Sequence, residues 1–282
     1  MLKDYIRVLR PQQWYKNTLV FLALIFSGNL FSLPLVWQTI IAFASFCALS
    51  SSVYIINDLA DKTKDKLHPE KRFRPIASGA VNATTAVILS IILLVIGIYF
   101  SLFLPTLFTY SALAYFGLSQ LYTFILKKEA FLDILTIATN FVIRAAAGAY
   151  AISVIVSPWL ILGVFFLAIY LVLGKRRADL TLLKNKASSH RETLAKYTHE
   201  LITQFSAIAT TCLVITYILY VFFGTHNALY LTLPIALYAL FRYETLVQTG
   251  SKTARHPELT FLDPRMMISI AIWAILVVLI IY

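Results

Sequence analysis

The chain has 282 residues, 60% of them hydrophobic and 13% charged, with a formal net charge of +11. Soluble domains carry roughly 45–50% apolar and about 25% charged residues, so both a soluble one-core enzyme and a disordered chain are excluded. A basic chain this apolar, with a mean hydropathy of +0.79, points to a membrane and not to nucleic acid as its partner.

A membrane-crossing helix needs about 20 mostly apolar residues. Laid along the chain, that ruler predicts nine spans, over 17–32, 34–57, 83–103, 106–126, 131–152, 158–174, 201–223, 229–247 and 265–282. Alternating segments of barrel length do not recur, which disfavours a β-barrel. The expected fold is an all-α integral membrane protein forming one domain over 1–282.

Before the first span stands RPQQWYKN, Arg10 to Asn17. Trp14 and Tyr15 read as interfacial aromatics. Lys16 and Asn17 sit at the entrance of the span, where they either reach a phosphate or fix the helix among headgroups. No small-residue cleavage site closes a short apolar stretch, so a cleaved signal peptide is not expected.

The second span runs into NDLADKTKD, Asn57 to Asp65. Asp58, Asp61 and Asp65 stand at i, i+3 and i+7, and Asn57 precedes Asp61 by four. On a helix that continues past the membrane edge they share a face. Three carboxylates there repel unless neutralised, and hard oxygen ligands suit Mg²⁺ held jointly with substrate phosphates. The competing explanation is a solvated helix end balanced by Lys62, Lys64 and Lys66. HPEKRFRPIASG follows, and its Lys71, Arg72 and Arg74 suit phosphate oxygens. Taken alone they read as topology charge.

The fourth span ends in YTFILKKEAFLD, Tyr122 to Asp133. Glu129 and Asp133 stand at i, i+4 at the start of the fifth. Arg144 lies 11 residues beyond Asp133, roughly 16 Å deeper at 1.5 Å per residue. A deep arginine faces the bundle interior and is a functional candidate by default; the alternative is a structural pair with a polar group on another helix. GKRRADL, Gly174 to Leu180, closes the sixth span, and its Lys175, Arg176 and Arg177 grip either headgroups or a substrate phosphate. A polar stretch, Lys184 to Thr198, follows as a candidate cap, with Glu192 its acid expected to face inward.

Twenty-three of the 24 Lys and Arg fall before the first span or at and beyond the ends of spans two, four, six and eight; the remaining one is Arg144. Lysine and arginine mark cytoplasmic loops, so the N-terminus is expected in the cytoplasm and Tyr282 on the far side. All 13 Asp and Glu lie on or near the same side, which puts the active site at the cytoplasmic mouth of a multi-pass protein of the cell membrane. Cys47 and Cys212 read as small core residues. The five histidines show no metal pairing. No Ser/His/Asp arrangement or P-loop stands out. The chemistry implied is Mg²⁺-assisted displacement of a phosphorylated leaving group.

Asn57, Asp58, Asp61 and Asp65 match the NDxxDxxxD signature of the UbiA prenyltransferase superfamily, and the chain resembles it over essentially its whole length. RPQQWYKN, HPEKRFRPIASG, YTFILKK with Asp133, the Arg144 to Gly148 segment, GKRRADL and the stretch Phe241 to Pro264 resemble its decaprenyl-phosphate phosphoribosyltransferase branch. The resemblance implies an intramembrane bundle of about nine helices and, at most, a homotrimer. It implies Mg²⁺ as cofactor, and PRPP and a polyprenyl phosphate as substrates, in the synthesis of envelope glycolipid precursors. It assigns Asp58 and Asp61 to catalysis, and Asn57, Asp58, Asp61 and Asp65 to the metal. Substrate contacts then fall to Lys16, Asn17, Lys71, Arg72, Arg74, Tyr122, Lys127, Asp133, Arg144, Lys175 and Arg176. Two departures stand out. The expected second aspartate-rich motif offers only Glu129 and Asp133, and Lys128 stands where the branch has histidine. A conventional prenyltransferase is the enzyme alternative. A transporter or lipid carrier is the alternative of another class, although its site would lie near the midplane at broken helices.

Overall fold

A computed structural model describes residues 2–183, 196–249, 251 and 263–282. These are helices and connecting turns, with no strand among the described residues. The chain divides into two compact units, Met1–Lys127 with Ile143–Ile155, and Lys128–Val142 with Val156–Tyr282.

The first unit opens with α1 (Leu2–Leu9), then a 3₁₀ stretch, Pro11–Val20, and the short α2 (Phe21–Phe26). The 28-residue α3 (Leu33–Ala60) follows, then α4 (Lys62–Leu67), a 3₁₀ turn at Lys71–Phe73, α5 (Pro75–Ser78), α6 (Ala83–Ser101) and α7 (Thr106–Phe124). Helix α8 (Leu132–Ala151) gives its second half to this unit and its first to the other.

Helices α3 and α6 pack along a seam of small residues. Ser45 and Ser52 donate across it to the carbonyls of Gly97 and Ser90, both at 2.8 Å. A Cβ on Gly97 would come within 2.6 Å of Leu49. Water is absent from a bilayer core, so small residues and hydroxyl-to-carbonyl bonds are what bring two such helices together. Asn82 caps α6, accepting from the Thr85 amide at 2.7 Å, which satisfies one of the amides a helix start leaves unpaired.

The second unit holds α9 (Pro158–Leu183), α10 (His199–Phe223), a 3₁₀ turn at Asn227–Thr232, α11 (Leu233–Gln248) and α12 (Pro264–Ile281). Ile134, Tyr170, Leu173, Ile202, Tyr243 and Met266 share its core. Thr198 and Asp263 cap α10 and α12 through the amides of Leu201 and Met266, at 3.1 and 2.9 Å.

Six of these helices, α3, α6, α8, α9, α10 and α12, are long and apolar enough to cross a membrane. Five of them lie within three residues of their expected bounds. Helix α9 runs nine residues past residue 174, because Arg176, Arg177, Ala178 and Leu180 favour helix as strongly as the apolar run does. Hydropathy marks where lipid ends and not where a helix ends. The remaining three expected spans are helical but not of that kind. The 17–32 stretch is no single helix, being divided between the 3₁₀ stretch and α2 and ending at Gly28 in a left-handed conformation (φ 72°). Helix α11 has 16 residues because Pro234 opens it late. Glu129 stands in the turn before α8 and not on it, since Phe131 (φ 66°) interrupts the chain there.

Candidate active site

Helix α3 ends at Ala60 and α4 restarts at Lys62, with Asp61 at the corner. Helical hydrogen bonding carries through the corner: the Asp61 amide donates to Asn57 O at 2.9 Å and the Asp65 amide to Asp61 O at 2.8 Å. The carboxylates therefore keep helical spacing, but they divide into two neighbouring stripes. Asp58 and Asp65 both accept from Nη1 of Arg74, at 3.0 and 2.7 Å. Asn57 Oδ1 and Asp61 Oδ1 both accept from Nζ of Lys127, at 3.3 and 2.7 Å. Asp58 accepts a second guanidinium, that of Arg10, which also lies over the Tyr54 ring at 5.2 Å.

Arg10 reaches this position from a left-handed backbone conformation (φ 53°, ψ 54°) just before Pro11. Such a conformation is uncommon for a side-chain-bearing residue and needs surrounding structure to hold it. That structure is the docked 3₁₀ stretch. Trp14 Nε1 donates to Ser51 Oγ at 3.0 Å, and Ser51 Oγ donates to Leu9 O at 2.8 Å. Asn17, fully buried, donates to Ser50 Oγ at 3.1 Å and accepts from Arg144 Nε at 2.8 Å. Arg144 Nη2 donates to Tyr115 OH at 2.8 Å, and its guanidinium lies 4.5 Å from that ring's centre. The deep arginine thus has partners on other segments, two neutral oxygens among them. Gly148 lets the stretch approach α8: a Cβ there would fall 2.1 Å from Val20 O.

Other expected site residues of this unit lie on the Lys71–Phe73 turn, the Pro11–Val20 stretch and α7. Arg72 is exposed and covers the Phe73 ring at 4.8 Å. Lys71 sits on the same turn, its amide donating to His68 Nδ1 at 3.3 Å. Lys16 lies 5.9 Å from the Tyr15 ring centre. Tyr122 is half-buried on α7.

In the second unit Asp133 is fully buried. It accepts from Arg176 Nη2 at 2.9 Å and from the Tyr197 hydroxyl at 2.7 Å. Burial, and then that bond to Asp133, push the Tyr197 phenol up, so it stays protonated and donating. Arg177 pairs with Glu244 at 2.8 Å. Lys175 points outward and exposed. The candidate cap over 184–195 with Glu192, and half of the Phe241 to Pro264 stretch (250 and 252–262), lie outside the described residues.

Arg10 is the residue the sequence did not single out. It is followed by a proline that breaks the chain direction, which was the available signal.

The donor set fits Mg²⁺. It is all oxygen, and two pairs of oxygens already focus on a cationic nitrogen. Among the described residues no three His, Cys, Asp or Glu side chains could hold a metal by themselves. Mg²⁺ habitually completes its shell with substrate phosphates and water.

The sequence pattern of the UbiA prenyltransferase family matches residues 17–279. The chain belongs to the UbiA prenyltransferase family. It is thus a transferase and, with its apolar helices, a multi-pass membrane protein. Among UbiA relatives, decaprenyl-phosphate phosphoribosyltransferase of Mycolicibacterium smegmatis is 34% identical over 226 residues, covering 79% of this chain and 71% of that protein. The protein of the same name from Corynebacterium glutamicum is 31% identical over 98% of this chain and 86% of its own length. Among solved UbiA structures, a homologue from Archaeoglobus fulgidus bound to DMAPP and Mg²⁺ superposes with a TM-score of 0.74 at 18% identity, over 98% of this chain and 99% of that one. That likeness establishes the UbiA fold.

Proposed function

We propose that the protein transfers the 5-phosphoribosyl group of PRPP to a polyprenyl phosphate and releases pyrophosphate, supplying a precursor for envelope glycolipid or polysaccharide. One observation carries this: three carboxylates are met by Arg10, Arg74 and Lys127, in a chain whose relatives of 31% and 34% identity are named for that activity. A site so rich in cations suits a donor and an acceptor that are both phosphorylated.

A phosphate oxygen of the lipid attacks C1 of the ribosyl group. The C1–O bond to pyrophosphate breaks, and its electron pair leaves with the pyrophosphate. The attacking oxygen is anionic at neutral pH, so no general base is required. Arg10, Arg74 and Lys127 are aimed at charge that grows on the leaving oxygens, the kind of preorganised contact that lowers a barrier. When bound at Asp58 and Asp61, with Asn57 and Asp65 in support, Mg²⁺ supplies Lewis-acid stabilisation of those oxygens. Lys16, Lys71 and Arg72 are the candidates for the 5-phosphate, Tyr122 for a further substrate contact, and Lys175 for lipid headgroups. Asn17, Arg144, Asp133 and Arg176 are assigned to holding the fold. The same proposal takes the chain as one domain of nine spans in the cell membrane. Its N-terminus and active site face the cytoplasm.

The test is to incubate purified protein with Mg²⁺, labelled PRPP and polyprenyl phosphates of several lengths. A labelled lipid is expected. The likeness to the A. fulgidus homologue with DMAPP supports a second activity, prenyl transfer to an aromatic or glycerol-phosphate acceptor. Turnover of a prenyl diphosphate with no labelled lipid would select it.

A further inference from the structure

Asp58 and Asp65 are 3% exposed, and a carboxylate so buried cannot be left without a compensating charge. Their present compensation comes from the chain itself. For these two the cations are the reachable partners: the Arg10 and Arg74 side chains are 17% and 27% exposed, against 4% for those of Asp58 and Asp65. An anion arriving from water therefore meets the two guanidinium groups before it meets Asp58 or Asp65, while Asp61, 25% exposed, stands as open as its partner Lys127 at 19%.

We propose that Arg10, Arg74 and Lys127 act as placeholders, releasing the carboxylates to a divalent cation only as a diphosphate takes up the released cations. The proposal rests on this being a metal–diphosphate site. A metal binding alone would have to displace Arg74 from two buried carboxylates at once and leave the guanidinium uncompensated beside a second cation. A diphosphate removes that obstacle, because its oxygens accept the guanidinium fork and the ammonium in charge-assisted bonds. Arg10 needs no large movement: Asp58 keeps it close, and the Tyr54 ring gives it a second surface on which to rest. Metal and diphosphate then bind with positive coupling, and the coupling is equal in either order. The metal enters with the diphosphate and not ahead of it.

The experiment uses the full chain in detergent, with radiolabelled Mn²⁺ retention measured at fixed free metal with and without inorganic pyrophosphate. Labelled pyrophosphate retention is measured with and without Mg²⁺. Each ligand is expected to bind weakly alone, and both to tighten by about tenfold or more, by the same factor, when together. Arg74→Gln is expected to tighten Mn²⁺ binding alone by about tenfold and to shrink the coupling. Arg10→Gln acts in the same direction through Asp58 alone and stands in if the first variant does not fold. Mn²⁺ bound by the unaltered protein as tightly without pyrophosphate as with it would overturn the placeholder role and leave the site intact. Pyrophosphate retained under no condition would overturn the diphosphate site beneath it.

Discussion

Two clusters in this protein hold the same chemical parts with different access to water. In the first unit, Asp58, Asp61 and Asp65 meet two arginines and a lysine that remain partly open to water. In the second, Asp133 meets Arg176 with side chains 0% and 5% exposed, and Tyr197 seals the remaining oxygen. Partners that can be reached can be exchanged for a ligand. Partners sealed on all sides can only be lost, and breaking such a pair leaves an uncompensated charge in a low dielectric. On the proposed function, similar ion pairs thus serve as binding machinery or as scaffold according to access.

The largest effect is expected at the open cluster. Asp58→Asn should lower lipid product formation by about 10²–10³-fold or more, the scale of losing one preorganised charged contact, while thermal unfolding in detergent changes little. Near-normal turnover would break the comparison on its functional side. At the sealed cluster the signs reverse. Asp133→Asn should destabilise by about 3–5 kcal/mol, as removal of one partner from a buried pair does, and the protein that remains folded should keep most of its activity. A variant that folds normally but is inactive would move Asp133 to the functional side.

Between these lies Gly148. Gly148→Ala puts a methyl against Val20 O and should destabilise by about 1–3 kcal/mol, the usual range for overpacking. Hydrogen exchange over 11–20 should rise with it, because this contact docks the stretch that presents Arg10. An unchanged exchange rate would separate Arg10 from its dock.

The smallest effect is at the exposed end of the second unit. Asp263 caps α12 and pairs with Arg242 Nη2 at 2.6 Å. Asp263→Ala should cost about 1 kcal/mol, the typical value of a cap. The hydrogen bond from Arg242 holds this carboxyl below its ordinary value. On acidification the unfolded chain takes up the proton first. The contribution is therefore present above roughly pH 4 and fades as pH falls through the lowered folded value. Comparing Asp263→Asn with the parent from pH 6 to pH 3 checks the sign, since the difference between their unfolding temperatures should narrow on acidification.

Much of this was legible in the sequence, for physical reasons that differ by residue. The long helices follow from apolar runs, because lipid leaves the backbone no other partner than itself. The spacing of Asn57, Asp58, Asp61 and Asp65 was read as one shared face of a helix, which the structure resolves into two adjoining stripes. Their division between Arg74 and Lys127 was not legible, because it depends on where α7 ends in space. Arg10 was hidden because an N-terminal arginine has the same composition whether it orients a chain or binds a carboxylate. The division of the 17–32 stretch was not legible, because hydropathy cannot tell a 3₁₀ stretch from an α-helix. Arg144 was correctly read as deep, but its partners Asn17 and Tyr115 lie 127 and 29 residues away, beyond any local pattern.

The corner at Asp61 carries one more consequence. Because helical hydrogen bonds pass through it, the angular placement of Asp65 relative to Asp58 is set by counting residues. One residue inserted between them would swing Asp65 through about 100°, away from the guanidinium it shares with Asp58. Chain length between residues 58 and 65, together with Asp61 itself, is what a redesign of this enzyme must leave untouched.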